Sequence, residues 1–350
     1  MNHKRVLRIT AVATVAFLTF GLASLVAAQD TSANTDRIEY AVEADWSLPR
    51  TPWGDPDFQG VWQYQATIPL ERPARFEGRA FLTETEMAAI AQSEAENAER
   101  IIAGLDGEDV GRSSVEDSPI RGNEYNAAWQ FLGRARRVFA QTSLIVVPPD
   151  GRLPYTDAAR RAEARAGARY GVGPYESYLD PDTGERCLGD GMTAIMWRGP
   201  NGGANRIVQS PGYVTILHEE FHERRIIPVD GRPHGDLPQW FGDPVGRWEG
   251  DTLVVETTGF LDKTHYEWAT IWMRASNRLH VVERFRRVGA DLMEYTITVT
   301  DPNTFTQPWT AVIPISRLED GTQIYEYACH EGNYAMPNLL RAGRVEVQAQ

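Results

Sequence analysis

The segment of the chain with the clearest chemical potential is His218-Glu219-Glu220-Phe221-His222, which fits the pattern H-E-x-x-H. On an α-helix, this spacing places two imidazoles on one face as zinc ligands, with Glu219 beside them as general base. His234 or a later glutamate would supply a third ligand. A zinc-dependent hydrolase, with His218, His222 and His234 as metal ligands, is therefore one hypothesis for the function.

The residues around this segment favour a strand instead. Pro211-Gly212 lies just before it, and β-branched and aromatic residues occur on both sides. In an extended segment over residues 213–222, His218, Glu220 and His222 share one face, and Glu219 points to the other. The trio would then line a cavity for acid–base chemistry, bind a metal on a sheet face, or form a polar stripe facing solvent.

Two cysteines, Cys187 and Cys329, are the only ones in the chain. In an oxidising compartment an isolated pair favours a disulfide, and the sequence predicts one here. His330 and Glu331 follow Cys329 directly, and a disulfide would hold the imidazole rigidly, as a site requires. These two residues are the second choice for a catalytic pair.

The N-terminus has the order of a secretory signal: basic residues, an apolar run from Val12 to Leu25, and small residues ending at Ala28. We predict that residues 1–28 are removed and that the mature protein is periplasmic or secreted, with no membrane insertion. Removing three basic residues and no acid changes the formal net charge from −13 to −16. Such an acidic chain argues against a nucleic-acid partner.

The elements that must position these residues are mainly β. Helices are predicted at 83–103, where Thr83 and Glu86 have capping-box spacing, and at 157–169, after Thr156 as N-cap. From residue 190 onward, short alternating segments are separated by turn residues. About eight short strands joined by tight turns form a meander that closes most simply into an antiparallel barrel.

The domain prediction follows from these elements. An extended arm spans residues 29–50, and one β-barrel domain spans 51–340 with a helical insertion at about 80–175. Residues 341–350 form a tail. The chain contains no G-x-S-x-G, Walker-type or dinucleotide-binding motif, so no cofactor is predicted apart from zinc under the hydrolase hypothesis.

Several segments together resemble a family of uncharacterised secreted bacterial proteins. The likeness covers most of residues 50–334 and implies no particular activity. The segments that carry it are PWGDPDFQGVW at 52–62, RIIPVDGRPH at 225–234, GRWEGDTLVVE at 246–256, LHVVERF at 279–285 and YEYACHEGN at 325–333.

A second resemblance is to lipocalins, and it rests on Gly60-Val61-Trp62 at the head of a strand followed by a meander. It implies a lipocalin-like (calycin-type) barrel that holds small apolar molecules. Some relatives of lipocalins are enzymes that act on isoprenoid or aromatic compounds. This chain departs from the pattern in its greater length and in the helical insertion after the first strand.

The leading functional hypothesis is an exported barrel that binds a small apolar or aromatic molecule. His218, Glu220 and His222 would act on this molecule by acid–base chemistry, such as hydration, elimination or cyclisation. The alternatives are the zinc hydrolase and a ligand-binding protein without catalysis.

Overall fold

A computed structural model describes residues 46–64, 68–105, 139–169, 173, 175–189, 191, 203–266 and 273–349. The predicted signal peptide and most of the predicted arm lie outside the described residues, as does much of the predicted helical insertion. Ten strands are present among the described residues. They are β1 Gly60–Gln63, β2 Ile145–Val147, β3 Asn205–Ser210, β4 Tyr213–His218, β5 Arg224–Pro228, β6 Asp243–Glu249, β7 Thr252–Thr258, β8 His280–Arg287, β9 Leu292–Thr300 and β10 Trp309–Arg317.

The strands form one antiparallel sheet in the order β5-β4-β3-β1-β10-β9-β8-β7-β6, with β2 paired to β10 beside this path. Most strands that are adjacent in the sheet are also consecutive in sequence and form hairpins, as the meander pattern predicts. The exception is β1, which lies between β3 and β10 and so joins the two halves of the meander. The predicted antiparallel barrel is confirmed.

The two end strands of this path, β5 and β6, adjoin each other and nearly close the barrel. Gly246 in β6 makes the close approach possible. A Cβ at this position would lie 2.8 Å from Cγ2 of Ile227 and 2.9 Å from Cγ1 of Val229. Any larger residue at position 246 would therefore separate the strands at the closure.

The barrel interior is filled by inward-facing side chains from every part of the sheet. In β8 and β9, Phe285 pairs with Tyr295 and their rings stack with centroids 4.9 Å apart. The core extends through Trp62, Ile216, Val281 and Trp309, all fully buried. Burial of large aromatic and aliphatic side chains is the main driving force for this fold.

The outer face of β10 is also buried, although the sequence pattern predicts simple alternation there. The segment before β2 covers it: the Val312 amide donates to the Leu144 carbonyl at 2.9 Å, and Gln141 Nε2 donates to the Val312 carbonyl at 2.6 Å. On β9, Glu294 and Thr296 are likewise buried rather than on a wet face. Glu294 is paired there with Arg286 of the neighbouring strand, and periodicity within one strand does not reveal such burial.

Three helices accompany the barrel in the described part of the chain: α1 Glu84–Leu105, α2 Asp157–Arg169 and α3 Ala335–Ala349. The predicted capping box of α1 is confirmed, because the Thr83 amide donates to Glu86 Oε2 and the Glu86 amide donates to Thr83 Oγ1. The Ala159 amide donates to Thr156 Oγ1, the predicted N-cap of α2. None of these helices is both long enough and apolar enough to cross a bilayer.

The C-terminal helix α3 was not predicted from the sequence. It includes nearly all of the segment interpreted as a tail, and its first turn is fixed where the Ala335 amide donates to Asn333 Oδ1 at 2.9 Å. The helix follows the predicted disulfide closely. That disulfide is confirmed between Cys187 and Cys329.

Candidate functional site

A group of charged and polar side chains from β5, β7, β8 and β9 lies buried inside the barrel. Arg225 Nη1 donates to Glu283 Oε1 at 2.7 Å, and its Nη2 pairs with Glu283 Oε2. The Tyr295 hydroxyl donates to Glu283 Oε1 at 2.8 Å. Arg225 Nη2 also donates to Thr257 Oγ1 at 3.2 Å. Arg225 and Glu283 are only 7% and 1% exposed, so this ion pair is shielded from water.

The protonation states of this interior cluster follow from burial and proximity. Burial by itself lowers the pKa of Arg225, but the charge of Glu283 and its hydrogen bonds raise it above the ordinary value. Burial, and then the charge of Glu283, raise the pKa of Tyr295 far above that of an exposed phenol. Arg225 is thus a fixed cation and Tyr295 a fixed hydrogen-bond donor.

A small cleft opens beside this ion pair. Its volume is about 10 Å³, which is room for about one water molecule. The buried Glu223 lines the cleft, and two aromatic rings form part of its wall. The complete lining is Gly191, Glu223, Arg225, Phe241, Thr257, Phe260, Val281 and Glu283.

Two glycines allow the main chain to cover this cleft. At Gly189, with φ +148°, a Cβ would lie 2.3 Å from Cζ of Phe241 and 2.8 Å from Oε2 of Glu223. At Gly191, with φ +100°, a Cβ would lie 2.6 Å from the Tyr266 carbonyl oxygen. Residues 182–189, which we call the strap, are tied at Cys187 to the C-terminal segment. Only glycine permits such an approach of backbone to the cleft.

The H-E-x-x-H segment does not form the α-helix that the zinc-hydrolase hypothesis requires. The predicted strand over 213–222 is also wrong beyond His218, where β4 ends. Glu220–His222 form a 3-10 turn in which Phe221 and His222 have φ of 55° and 50°. The chain must reverse here to start β5, so His218 and Glu220 are buried whereas His222 is exposed.

Glu219, Phe221 and His222 of this segment hold the C-terminal chain against the barrel. Glu219 Oε1 accepts the Tyr325 amide at 3.1 Å, and His222 Nε2 accepts the Tyr327 amide at 3.0 Å. The Phe221 ring packs on Tyr327 with centroids 4.9 Å apart. These contacts offset the left-handed backbone of the turn, which costs about 1 kcal/mol per non-glycine residue.

His218 belongs to the barrel interior. It is fully buried, and its Nδ1 lies 3.0 Å from Asn205 Oδ1 on the neighbouring strand. Its amide donates to the Glu223 carbonyl at 2.7 Å, so His218 and Glu223 face each other where β4 and β5 meet.

We expect His218→Ala to lower the free energy of unfolding by about 2–4 kcal/mol, because it leaves a cavity and removes a buried hydrogen bond. His222→Ala, at an exposed position, should change stability little. Urea unfolding of both variants measures the difference. Equal stability of the two variants would contradict the buried position of His218.

The remaining predicted site residues lie apart from the interior cluster. His330 and Glu331 are exposed beside the disulfide. His234 is half-buried, with Nδ1 3.3 Å from Asp243 Oδ2. Among the described residues, no three His, Cys, Asp or Glu side chains are grouped so as to hold a metal ion. Zinc binding stays a prediction that needs a direct measurement.

A second buried imidazole, His265, lies close to two arginines. Burial, and then the charges of Arg274 and Arg186, together lower its pKa to about 3. The unfolded chain, with an ordinary histidine pKa near 6.5, therefore binds a proton that the folded chain does not between about pH 6.5 and 3. His265 thus makes the fold less stable as the pH falls through this window.

Replacing His265 should reduce this acid sensitivity. We expect the free energy of unfolding of the wild type to fall more steeply from pH 6.5 to 4 than that of His265→Gln, by up to about 1.4 kcal/mol per pH unit. Chemical denaturation at several pH values gives both slopes. Parallel slopes for the two proteins would show that His265 does not stay neutral in the fold.

Sequence reasoning missed the central residues of the site. Glu283 lies between Val281 and Phe285 on the inward face of β8, and Arg225 shares the inward face of β5 with Ile227. A charged residue in phase with an apolar alternation was therefore the available signal. Glu223 gave no such signal, because it lies just before β5 begins.

Two larger depressions lie on the surface along residues 317–326, with volumes of about 420 and 500 Å³. The interior cleft is smaller than either of them, but buried charged residues line it. It is therefore the better candidate for a site that exchanges protons. The chain matches no protein-family model and no curated protein, so its function is inferred from this geometry.

Proposed function

We propose that this is an exported barrel protein that binds a small molecule with an aromatic or apolar part at the Glu223 cleft and exchanges protons with it. The single observation that supports the proposal is the composition of the cleft. A buried carboxyl group, a buried Arg–Glu pair and two phenylalanine side chains line it together. A few converging polar groups within apolar walls are typical of small-molecule sites.

Some cleft residues would bind the ligand, and one would exchange a proton with it. Phe241 and Phe260 offer apolar contact to the ligand. Arg225 is held in place by Glu283 and Thr257, so its charge has a fixed position beside the cleft. A carboxylate within hydrogen-bond reach of a ligand can accept or donate a proton, and Glu223 is placed for that role.

His218 is the member of the originally predicted trio that we retain in the proposal. Its backbone bond to Glu223 fixes the junction of β4 and β5, from which the carboxyl group extends. Glu223 takes the role that the sequence assigned to Glu220. His222 is a structural contact of the C-terminal segment, since its Nε2 accepts the Tyr327 amide.

Ligand entry requires movement of the main chain that covers the cleft. With about 10 Å³ available, the cleft admits water but no aromatic ring. The strap at Gly189 approaches the Glu223 carboxyl group, and Gly191 lines the cleft. A ligand would therefore displace the strap outward and would stabilise the displaced arrangement by its own contacts.

A thermal-shift screen of the purified mature chain tests binding. The panel consists of small aromatic compounds of graded size and polarity, from phenol and benzyl alcohol to naphthol. We expect at least one compound to raise the melting temperature in a saturable way, because a ligand that binds only the folded state stabilises it. A panel without any saturable shift would count against the proposal.

Hydrogen exchange in the ligand separates an enzyme from a carrier. A binding compound with an acidic C–H bond is incubated in D₂O with the protein, and deuterium incorporation is followed by mass spectrometry. Proton exchange by Glu223 predicts incorporation with the wild type and none above background with Glu223→Gln. Binding without incorporation would leave the alternative of a non-catalytic ligand-binding protein.

A further inference from the structure

A cluster of cationic and aromatic side chains includes Arg186 of the strap, and none of its members lines the cleft described above. The guanidinium of Arg186 lies over the Trp240 ring at 5.3 Å and over the Tyr178 ring at 5.8 Å. Arg274 donates through Nη2 to the carbonyl of Leu179, next to Tyr178. Arg274 also forms a β-bridge with His265. We call Tyr178, Arg186, Trp240, His265 and Arg274 the cationic cluster.

Contacts link the chain segments that carry this cluster into a ring. Thr264, the neighbour of His265, donates its hydroxyl proton to the Trp240 carbonyl at 2.5 Å. The chain segments that carry Arg186, Trp240, His265 and Arg274 are therefore joined one to the next and back to Arg186. Their side chains are gathered at one place, although their positions in the sequence span about ninety residues.

Two nitrogen atoms in this cluster are buried without a hydrogen-bond partner among the described residues. They are Nη1 of Arg186 and Nδ1 of His265. His265 is 8% exposed, so water does not readily solvate it. Buried polar atoms are nearly always hydrogen-bonded, because an unmet bond costs about 1–3 kcal/mol. Two such atoms in one cluster indicate that a bound group with hydrogen-bond acceptors would satisfy both.

The electrostatics of the cluster favour a negatively charged acceptor. Burial and the positive charge of Arg274 lower the pKa of Arg186, while the nearby Asp182 only partly offsets this. Asp182 is itself engaged, since its Oδ1 accepts the Glu185 amide at 2.8 Å. Burial and Asp182 raise the pKa of Glu185 to about 7, which reduces its negative charge near neutral pH. Among the described residues, two arginines thus lie together in a partly buried environment with little negative charge to compensate them.

We propose that Arg186, Arg274 and His265 form a binding site for an oxyanion, either a carboxylate or a phosphate group. The planar guanidinium suits the paired oxygens of both groups and keeps its stacking on Trp240. The neutral His265 donates a hydrogen bond from Nδ1 in the tautomer that carries the proton there. None of these three residues lines the Glu223 cleft, so anion binding here does not require a ligand in that cleft.

Calorimetric titration at constant ionic strength tests this site with two probes, inorganic phosphate and benzoate. The proteins are the wild type, Arg186→Gln, and Arg278→Gln as the matched control. Arg278 is exposed, and its variant removes the same charge. We expect saturable binding of at least one probe, about 10-fold or more weaker in Arg186→Gln and unchanged in Arg278→Gln. The tighter probe identifies the class of oxyanion.

A second variant keeps the test interpretable if Arg186→Gln does not fold. Arg186→Lys keeps the charge but removes the forked geometry, so it should fold and bind with reduced affinity. Circular dichroism of each variant checks the fold. Failure of both anions to bind the wild type would overturn the proposal. So would equal affinity in the Arg186→Gln, Arg186→Lys and Arg278→Gln variants.

Discussion

Replacing Arg225 with methionine should lower the free energy of unfolding by about 3–5 kcal/mol, the largest loss we expect from a single substitution. The change leaves Glu283, which is 1% exposed, as a buried carboxylate without its cation. It also removes the hydrogen bond from Arg225 to Thr257. Urea denaturation followed by tryptophan fluorescence, with a check for two-state behaviour, measures the loss.

A double variant shows whether the loss comes from the unpaired charge. Arg225→Met combined with Glu283→Leu removes both charges, so it should be more stable than Arg225→Met alone. The exposed pair Arg232–Asp230 serves as the control, because solvent screens it, and Arg232→Met should leave unfolding nearly unchanged. A loss below about 1 kcal/mol in Arg225→Met would show that water reaches the ion pair.

Removing the disulfide with Cys187→Ser and Cys329→Ser should lower the free energy of unfolding by about 2–5 kcal/mol. The bond joins residues 142 positions apart, and a loop of that length loses much entropy in the unfolded chain when it is closed. The bond also anchors the strap beside the cleft. Denaturant unfolding of the oxidised wild type and the double variant gives the difference.

The wild type under reducing conditions supplies the control for this change. Reduction should lower the stability of the wild type towards that of the double variant, whereas the double variant should not respond to the reductant. If the wild type has the same free energy of unfolding under oxidising and reducing conditions, the disulfide between Cys187 and Cys329 does not stabilise the fold.

The fold was largely predictable because local signals and tertiary structure agree. Turn residues separate short alternating segments, and these segments became the hairpins β3–β4 and β8–β9. The capping box at Thr83 gave an equally local signal, and the cysteine pair was predictable because the chain contains only two cysteines. The burial of Glu294, which pairs with Arg286 on the neighbouring strand, is not encoded by the alternation within one strand.

The candidate site was predicted only in part because its residues combine through topology. His218 was identified from its motif, but the chain reversal at Phe221 separates it from His222. Arg225 and Glu283 are 58 positions apart and meet only when the barrel closes. The H-E-x-x-H pattern therefore pointed to the β4–β5 hairpin, where the candidate site lies. The zinc-ligand geometry that it suggested was wrong, because that geometry requires an α-helix.

Calorimetric titration of the best compound from the aromatic panel tests the central claim most directly. The proteins are the wild type, Glu223→Gln, and Glu326→Gln as a control, since Glu326 is an exposed carboxylate outside the cleft. The account predicts one site per chain, with affinity about 10-fold or more weaker in Glu223→Gln and unchanged in Glu326→Gln. Equally tight binding by all three proteins would show that the ligand does not contact Glu223 and would contradict the proposed site.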